Sequence, residues 1–385
     1  MPALDGVRGL AILLVMFHHF TIVEPVSGAS RVLASAGAMG RYGVDLFFVL
    51  SGCLITGILL DSREAAHYFR TFYTRRVLRI FPLYYTLVAV TFLLVPAATR
   101  LLSADTSRTV RAFVSPGDWP WFVAFCSNVL LAIRDRYTNG LLDASWSLAI
   151  EEHFYLVWPT VVLLVVGLRR LRHVAVAVLI AALLLRIAAW SAGWSRLQIY
   201  AVTFTRMDAL AFGAIVAIWM RSPPDRWTRH LAHARYYAPA LAAVIVALWL
   251  SGQMEYTATV MNTIGYTLVG ALGMQLVVLA VPSTRGPLVE RVFSNGAMRF
   301  FGKYSYGLYM FQLPVKGALI LFWFDKARMT SSPIGWQAAF YALACGLTMI
   351  AALVSWHLLE KNMLALKDRI AFVDTVPALV NPPIA

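Results

Sequence analysis

The sequence predicts an all-α, polytopic membrane protein with about ten transmembrane helices, one further short re-entrant or interfacial helix, and both termini in the cytoplasm. Three observations predict this class. The 385 residues are 60% hydrophobic and 14% charged, a composition unusual for a soluble domain. Apolar runs of about 17 to 24 residues, long enough for a ~30 Å hydrocarbon core, recur along the chain. The net charge of +14 comes largely from short loops between these runs, a pattern of membrane orientation rather than of nucleic-acid binding.

Eleven apolar runs are candidate helices, and the arginines between them indicate which ones cross. The runs are 4–23, 43–61, 76–97, 118–133, 146–167, 173–191, 204–220, 236–252, 258–281, 304–323 and 336–359. The densest basic stretch, 63–79, is assigned to the cytoplasm. If the run 118–133 does not cross, the later basic loops 169–173, 221–235 and 285–303 fall on the same side. That run is also the shortest, so it is predicted to be the re-entrant or interfacial element.

The domain organisation follows from the same runs. We predict one transmembrane domain over residues 1–370 and a short cytoplasmic tail over 371–385. The expected location is the cell (inner or plasma) membrane as a multi-pass protein, with the lipid bilayer as a partner and no nucleic acid. The three cysteines have no metal-ligand spacing, so no metal site is predicted.

The first run carries the residue that we predict to be catalytic. Arg8 and His19 are eleven residues apart, so on a helix they share a face about 16 Å apart, whereas His18 points elsewhere. An imidazole at membrane depth is costly and is a functional candidate by default. The competing interpretation is a polar helix end packed against neighbours. Asp5 is expected to pair with Arg8, its i,i+3 neighbour.

A basic segment leads into the third run. Arg75, Arg76 and Arg79 include one i,i+3 pair, Arg76 and Arg79, which shares a helix face. Two planar guanidinium groups suit a phosphate or pyrophosphate ligand. The competing interpretation is an anchor that pairs with lipid headgroups.

Two consecutive acids, Glu151 and Glu152, lie near the start of the run 146–167. Because consecutive helical residues cannot face the same way, one is expected to orient a histidine or a substrate hydroxyl. The other is expected to cap the helix N-terminus. Capping alone is the competing interpretation.

Polar residues at the external ends of other runs are the candidates for substrate binding. They are Asp45, Ser147, Tyr155, Arg206 and Asp208. An i,i+2 pair such as Arg206 and Asp208 does not face itself on a helix, so these two are expected to bond to other helices or to cap an end. A structural role is the competing interpretation for Asp45, Arg206 and Asp208.

Several of these residues belong to motifs that recur in one known family. The motifs are LDGVRGL at 4–10 with His19, GVDLFFVLSG at 43–52, RRVLRIFP at 75–82, SWSL at 145–148 with EEHFY at 151–155, RMDAL at 206–210 and GKYSYGLY at 302–309. In this order the sequence resembles the acyltransferase-3 family of membrane O-acyltransferases, in its stand-alone form without a fused hydrolase-like domain. Two positions depart from many relatives: Gln312 replaces a histidine and Asn362 a proline.

The resemblance implies a reaction and assigns roles. The reaction is transfer of an acyl group, often acetyl, from cytoplasmic acyl-CoA, a co-substrate, to a hydroxyl, commonly on a sugar; no permanently bound cofactor is expected. Arg75, Arg76, Arg79 and Arg8 are the expected binding residues for acyl-CoA. His19 would act as general base, with Glu151 or Glu152 bonded to its other ring nitrogen.

The alternative function is a proton-coupled secondary transporter that uses the same buried histidine, glutamate and arginine groups. Transporters often contain paired repeats with interrupted helices at matching positions. Neither feature is visible in this sequence, which favours the enzyme. A scaffold or sensor without chemistry is a third class, and charged groups buried on several helices argue against it.

Overall fold

The structure is a computed structural model, and the part of the chain that it describes is built from helices. It describes residues 1–99 except 24 and 26, 114–281, 288–324 and 334–366. Within these residues the β-type pairing is one isolated bridge between Val114 and Asn139. The predicted tail, 371–385, lies outside the described residues.

Seventeen α-helices are described in chain order. They are α1 (Pro2–Phe20), α2 (Gly28–Met39), α3 (Gly43–Asp61), α4 (Tyr68–Ala89), α5 (Val95–Ala98), α6 (Trp119–Val123), α7 (Ser127–Arg134), α8 (Ser145–Leu164), α9 (Leu168–Ser191), α10 (Arg196–Ala201), α11 (Met207–Trp219), α12 (Pro224–Leu250), α13 (Tyr266–Ala280), α14 (Leu288–Ser294), α15 (Gly296–Phe322), α16 (Ile334–Ser355) and α17 (Lys361–Leu366). Single π-helical turns continue three of them, at Val90–Leu94, Met261–Gly265 and Trp356–Glu360.

Seven helical segments among the described residues are long and apolar enough to cross a membrane, which supports a multi-pass membrane protein. They are Pro2–Phe20, Gly28–Asp61, Tyr68–Ala98, Leu168–Ser191, Pro224–Leu250, Met261–Ala280 and Gly335–Leu366. The predicted spans 146–167, 204–220 and 304–323 correspond to α8, α11 and α15, which are not among the seven. The helix α11 has 13 residues, fewer than a perpendicular span needs. Ten spans with cytoplasmic termini therefore stay a prediction.

The region 118–133 is not a single helix. It contains α6 and α7, of 5 and 8 residues, separated at Phe125, whose φ is 53°. A bulky residue in the left-handed region interrupts helical hydrogen bonding. Neither helix is long enough to span a membrane, which agrees with the predicted re-entrant or interfacial element.

One helix was not predicted, and two predicted boundaries were wrong. The stretch Gly28–Met39, which lies between two of the predicted runs, is the helix α2, which Ser27 caps through a bond from the Ser30 amide. The third run starts at Tyr68 rather than at residue 76, so its arginines lie inside a helix. The helix α1 ends at Phe20 rather than at residue 23, where the Gln337 side chain bonds to the Phe20 carbonyl and the Ile22 amide.

Glycines of the first and last motifs allow α1 to pack closely against α14 and α15. A Cβ atom at Gly6 would lie 1.8 Å from the Phe293 carbonyl oxygen, and one at Gly302 would lie 1.7 Å from the Asp5 carbonyl oxygen. Such backbone-to-backbone contact is typical of membrane helices that meet through small residues. It fixes the position of α1 and therefore of the charged and polar groups along it.

Candidate active site

A cavity of about 490 Å³ lies at the C-terminal end of α1. Its polar wall consists of His18, His19, Arg41, Asp143, Lys316, Tyr137, Tyr200, Tyr256 and Tyr309. A larger groove of about 700 Å³ is lined by Arg235 and by apolar side chains of α12, α13 and α14, and it contains none of the predicted site residues. The smaller cavity is therefore the candidate site for chemistry.

His19 is the predicted catalytic residue, and its ring is held less firmly than that of His18. The Nδ1 atom of His18 lies 3.0 Å from the Gly37 carbonyl oxygen. The Nδ1 atom of His19 is buried and has no hydrogen-bond partner among the described residues. The Gln312 side chain faces His19, and its Oε1 atom is also buried and without a partner. A histidine in a cavity wall can act as a general base when a neighbouring group holds one ring nitrogen and the other is left to accept a proton.

An arginine cluster, formed by Arg8, Arg76 and Arg79, lies toward the other end of α1. The Arg8 Nη1 atom donates to Asp5 Oδ1 at 2.8 Å, which confirms the predicted pairing. Arg76 and Arg79, on α4, lie close enough to Arg8 to interact with it electrostatically. The fold therefore brings Arg8, Arg76 and Arg79 together, and the binding of a ligand by the predicted set of Arg75, Arg76, Arg79 and Arg8 stays a prediction.

The two glutamates lie with this arginine cluster and not with the histidine. Both oxygens of Glu151 accept hydrogen bonds, one from Ser51 Oγ at 2.8 Å and one from Tyr155 Oη at 2.9 Å. The Glu152 Oε1 atom is buried without a partner, and the charges of both glutamates reach Arg76.

Two expectations for the glutamates therefore fail in this structure. Neither is hydrogen-bonded to His19, because their turn of α8 faces Ser51 and the arginines. Neither caps α8, because that helix begins at Ser145 and its unpaired amides lie in the first turn. Their contacts are with Ser51, Tyr155 and the arginine cluster, and their catalytic role stays a prediction.

Ser147 and Tyr155 are one and three turns into α8, and they lie in different places. The hydroxyl oxygens of Ser147 and Tyr309 are 2.5 Å apart, and Tyr309 also donates to the Ala144 carbonyl oxygen at 2.8 Å. Since Tyr309 lines the cavity, Ser147 lies directly behind its wall. Tyr155 instead packs beside Arg76, whose guanidinium carbon is 5.8 Å from the ring centroid.

Asp45, Arg206 and Asp208 are engaged in buried ion pairs. Arg206 Nη2 donates to Asp45 Oδ1 at 2.7 Å, and Arg186 Nη2 donates to Asp208 Oδ2 at 2.7 Å. This confirms that Arg206 and Asp208 bond to other helices, α3 and α9 respectively. The four side chains are at most 1% exposed, so their contacts support the structural interpretation rather than substrate binding.

Sequence reasoning missed other residues of the site. Arg186 was recognisable as the single charge within the apolar run 173–191, a position that demands a partner. Lys316 was recognisable in the same way, as the single charge within the run 304–323. Arg41 and Asp143 gave no local signal, because they belong to a turn and a loop that approach Lys316 only in the folded chain. Among the described residues, no group of three or more His, Cys, Asp or Glu side chains is placed to hold a metal ion.

The two groups of residues are connected by one continuous helix. Between Arg8 and His19, α1 rises about 16 Å along its axis. Tyr309 lies between the groups, because it lines the cavity and the charge of Glu151 reaches it. The site thus has an arginine-rich end and a histidine-containing cavity at opposite ends of α1.

Comparison with known proteins identifies the family. The family model described as an acyltransferase domain of the acyltransferase-3 type matches residues 1–357. The chain belongs to the acyltransferase-3 family. No solved structure matches the chain.

Curated relatives of this family member cover most of the chain. The chain is 28% identical over 377 residues to a Bacillus subtilis protein named "Putative peptidoglycan O-acetyltransferase YrhL", covering 94% of the chain and 54% of the relative. It is 27% identical to "Putative O-acetyltransferase SAS0844" of Staphylococcus aureus, covering 94% and 56%. It is 28% identical to "Peptidoglycan O-acetyltransferase OatA" of Listeria monocytogenes, covering 82% and 49%. The chain thus spans about half the length of the curated relatives it matches.

Proposed function

We propose that this chain is an integral membrane O-acyltransferase of the cell membrane. It moves an acyl group, acetyl in our proposal, from cytoplasmic acyl-CoA to a hydroxyl group of a sugar or glycan. The names of the relatives make peptidoglycan the first acceptor to test. The observation that carries the proposal is the arrangement of the arginine cluster and the His19 cavity along one helix, in a chain that belongs to an acyltransferase family.

The donor is assigned to the arginine cluster by charge. Coenzyme A carries several phosphates at its nucleotide end, and guanidinium groups bind phosphate through paired hydrogen bonds. Glu151 and Glu152 keep the arginines in place, because their charges reach Arg76. The extended pantetheine arm separates these phosphates from the thioester, so a donor bound here directs its thioester along α1 toward His19.

Topology determines which compartment each end faces. With ten spans and both termini cytoplasmic, the arginine cluster lies toward the cytoplasm, where acyl-CoA is made. The His19 cavity then lies toward the external side. An external acceptor would meet the acyl group inside the protein, without release of the donor across the membrane.

His19 is assigned the role of general base. It takes the proton of the acceptor hydroxyl as that oxygen attacks the thioester carbonyl carbon, a role typically worth 10²–10⁴-fold. The carbon–sulfur bond breaks, and the coenzyme A thiolate leaves and takes up the proton. The products, an acyl ester of the acceptor and the coenzyme A thiol, together contain all atoms of the acceptor hydroxyl compound and the thioester.

Gln312 is assigned a positioning role in place of the glutamates. Its Oε1 atom and the His19 Nδ1 atom are both buried without partners. In the proposed active arrangement the Gln312 Oε1 atom accepts a hydrogen bond from Nδ1–H. The Nε2 atom would then keep its lone pair for the acceptor proton.

The test is acyl transfer and hydrolysis with radiolabelled acetyl-CoA and purified protein in detergent. We expect His19→Ala to abolish turnover while binding of coenzyme A survives. We expect the double variant Arg76→Ala/Arg79→Ala to lose that binding. His357→Ala is the matched control, since its ring is exposed, bonded to the Leu353 carbonyl oxygen and outside the cavity lining. Failure of the wild type to bind coenzyme A, together with proton-coupled solute uptake in liposomes, would overturn the enzyme in favour of the transporter.

A further inference from the structure

The walls of the His19 cavity are rich in aromatic side chains. Tyr137, Trp146, Tyr200 and Tyr256 all contribute to its lining. Aromatic rings combine an apolar face with a polar hydroxyl or N–H edge. Pyranose rings present apolar C–H faces together with hydroxyl groups, so a wall of this kind is suited to a saccharide. This much agrees with a glycan acceptor and does not distinguish one sugar from another.

The charged groups in the wall do make that distinction. Arg41 comes from the turn before α3 and Lys316 from α15, and both charges reach His18. The carboxylate in the lining is that of Asp143. Its Oδ1 atom accepts hydrogen bonds from the Thr138 and Asn139 amides, at 3.2 and 2.9 Å. Asp143 is thus engaged in its own loop, and the cavity keeps an excess of positive charge.

Arg41 is held in a way that presents its guanidinium group to the cavity. Its Nε atom donates to the Ala38 carbonyl oxygen at 2.7 Å. Its guanidinium carbon lies 5.0 Å from the Tyr256 ring centroid, within the range of a cation–π contact. No described carboxylate forms an ion pair with it. The terminal nitrogens of such a fixed guanidinium are suited to bind a carboxylate or a phosphate in a bidentate manner.

We propose that this cavity selects acceptor saccharides that carry a carboxylate or phosphate group, with Arg41 as the residue that binds that group. Lys316 adds a second positive charge, and the aromatic wall contacts the sugar ring. The inference rests on the proposed function only in that the hydroxyl to be acylated is presented to His19. It goes further, because it names the chemical class of the acceptor and the residue that recognises it.

The experiment measures binding of small saccharides to the purified full-length chain in detergent, without acetyl-CoA. N-acetylmuramic acid is compared with its lactyl carboxamide, which keeps the shape and removes the charge. N-acetylglucosamine 6-phosphate is compared with N-acetylglucosamine, so that the two pairs separate a carboxylate from a phosphate. Binding is followed by saturation-transfer NMR titration and by the fluorescence of the tryptophans, one of which, Trp146, lines the cavity.

We expect the wild type to prefer the charged member of at least one pair by about 10-fold, the difference that one charge-assisted hydrogen bond supports. In Arg41→Gln the preference should disappear, and in Lys316→Gln it should decrease. Arg31→Gln is the matched control, since Arg31 is exposed on α2 and outside the cavity lining. The folded state of each variant is verified by size-exclusion chromatography.

Equal binding of charged and neutral saccharides by the wild type would overturn the inference, as would a preference that survives in Arg41→Gln. These outcomes are separate from the fate of the proposed function. Acetyl transfer without any charge preference would refute the inference alone. Selective binding of the charged saccharides with no acetyl transfer under any condition would uphold the anion site and refute the enzyme.

Discussion

The guanidinium group of Arg186 and the carboxylate of Asp208 meet in the interior of the protein, with 2.7 Å between Nη2 and Oδ2 and side chains 0% and 1% exposed. Arg186 also donates to the carbonyl oxygens of Thr263 and Thr205, at 2.6 and 2.5 Å. It thereby connects α9, α11 and the turn before α13. A buried charge is tolerated when it is paired and fully hydrogen-bonded.

Removal of one member of this pair should destabilise the protein more than removal of both. We expect Arg186→Met or Asp208→Leu alone to lower the free energy of unfolding by about 3–5 kcal/mol, because each leaves an unpaired buried charge. The double variant should lose less than the sum of the two. The measurement is a double-mutant cycle by chemical denaturation in detergent. Strictly additive losses would show that the pair is not energetically coupled.

Substitution of Gln312 should affect the chemical step rather than donor binding. We expect Gln312→Leu to lower kcat by about 10-fold or more, within the 10²–10⁴-fold that a general base contributes, with the KM for acetyl-CoA unchanged. Gln312→His, which restores a polar group, should recover much of the rate and shift the pH–rate profile. An unchanged kcat in Gln312→Leu would exclude the positioning role.

A single methyl group at Gly302 should disrupt the packing of α1. The added Cβ atom would lie 1.7 Å from the Asp5 carbonyl oxygen, and backbone atoms cannot rotate away as a side chain can. We expect Gly302→Ala to cost at least the ~1–3 kcal/mol typical of overpacked cores, measured as a lower midpoint of thermal unfolding. The matched control is Gly296→Ala in the same helix, where no heavy atom lies within 4 Å. Equal midpoints for the two variants would contradict the close contact.

The pH dependence of anion binding in the cavity should follow Asp143, which lies in the loop before α8. Burial raises the pKa of its carboxyl to about 7, although hydrogen bonds from the Asn139 and Thr138 amides oppose the increase. As the pH falls from 8 to 6, Asp143 becomes neutral and stops repelling an anion. We therefore expect the affinity for N-acetylmuramic acid to increase over this interval.

The other titratable or charged groups that face the cavity are His18, His19, Arg41, Lys316 and the tyrosines. Asp143→Asn keeps the amide-accepting oxygen and removes the titration, so the increase in affinity should disappear in that variant. The measurement is a saccharide titration at several pH values. An undiminished pH dependence in Asp143→Asn would assign the titration to the histidines instead.

The same protonation also affects the stability of the fold, and in the same direction of pH. The folded-state pKa of Asp143 is raised above its ordinary value of 3.8, so the folded protein binds the proton more tightly than the unfolded chain does. The contribution of Asp143 to stability is therefore largest at low pH and is lost as the pH rises from about 4 to about 7. Comparison of wild type with Asp143→Asn by chemical denaturation at pH 5 and pH 8 measures this difference.

The sequence was sufficient for elements whose apolar pattern is uninterrupted. The helix at 43–61 was predicted with the boundaries that the structure has, and the pairing of Asp5 with Arg8 followed from their spacing. The helix α2 was not predicted because its glycine, alanine and serine residues produce no apolar run. Its helical form depends on the Ser27 cap and on packing against α1.

The residues of the candidate site divide in the same way, into those that the local sequence indicates and those that only the fold brings together. Arg8, His19, Arg76 and Arg79 were predictable because unusual residue types at membrane depth or in helical spacing are visible locally. The bond between Glu151 and Ser51 was not predictable, because Ser51 lies one hundred residues away in the chain. For the same reason the sequence does not show that Arg41 and Lys316 lie close together, and only the fold places both in the cavity wall.

The continuity of α1 has a consequence for how this chain can vary. Eleven residues separate Arg8 from His19, and each residue of a helix contributes about 1.5 Å of rise and about 100° of rotation. Insertion of one residue between them would turn the imidazole away from its cavity by about 100°. Insertion of four would nearly restore its direction but displace it by about 6 Å. The length of this segment is therefore as constrained as the identity of the two residues at its ends.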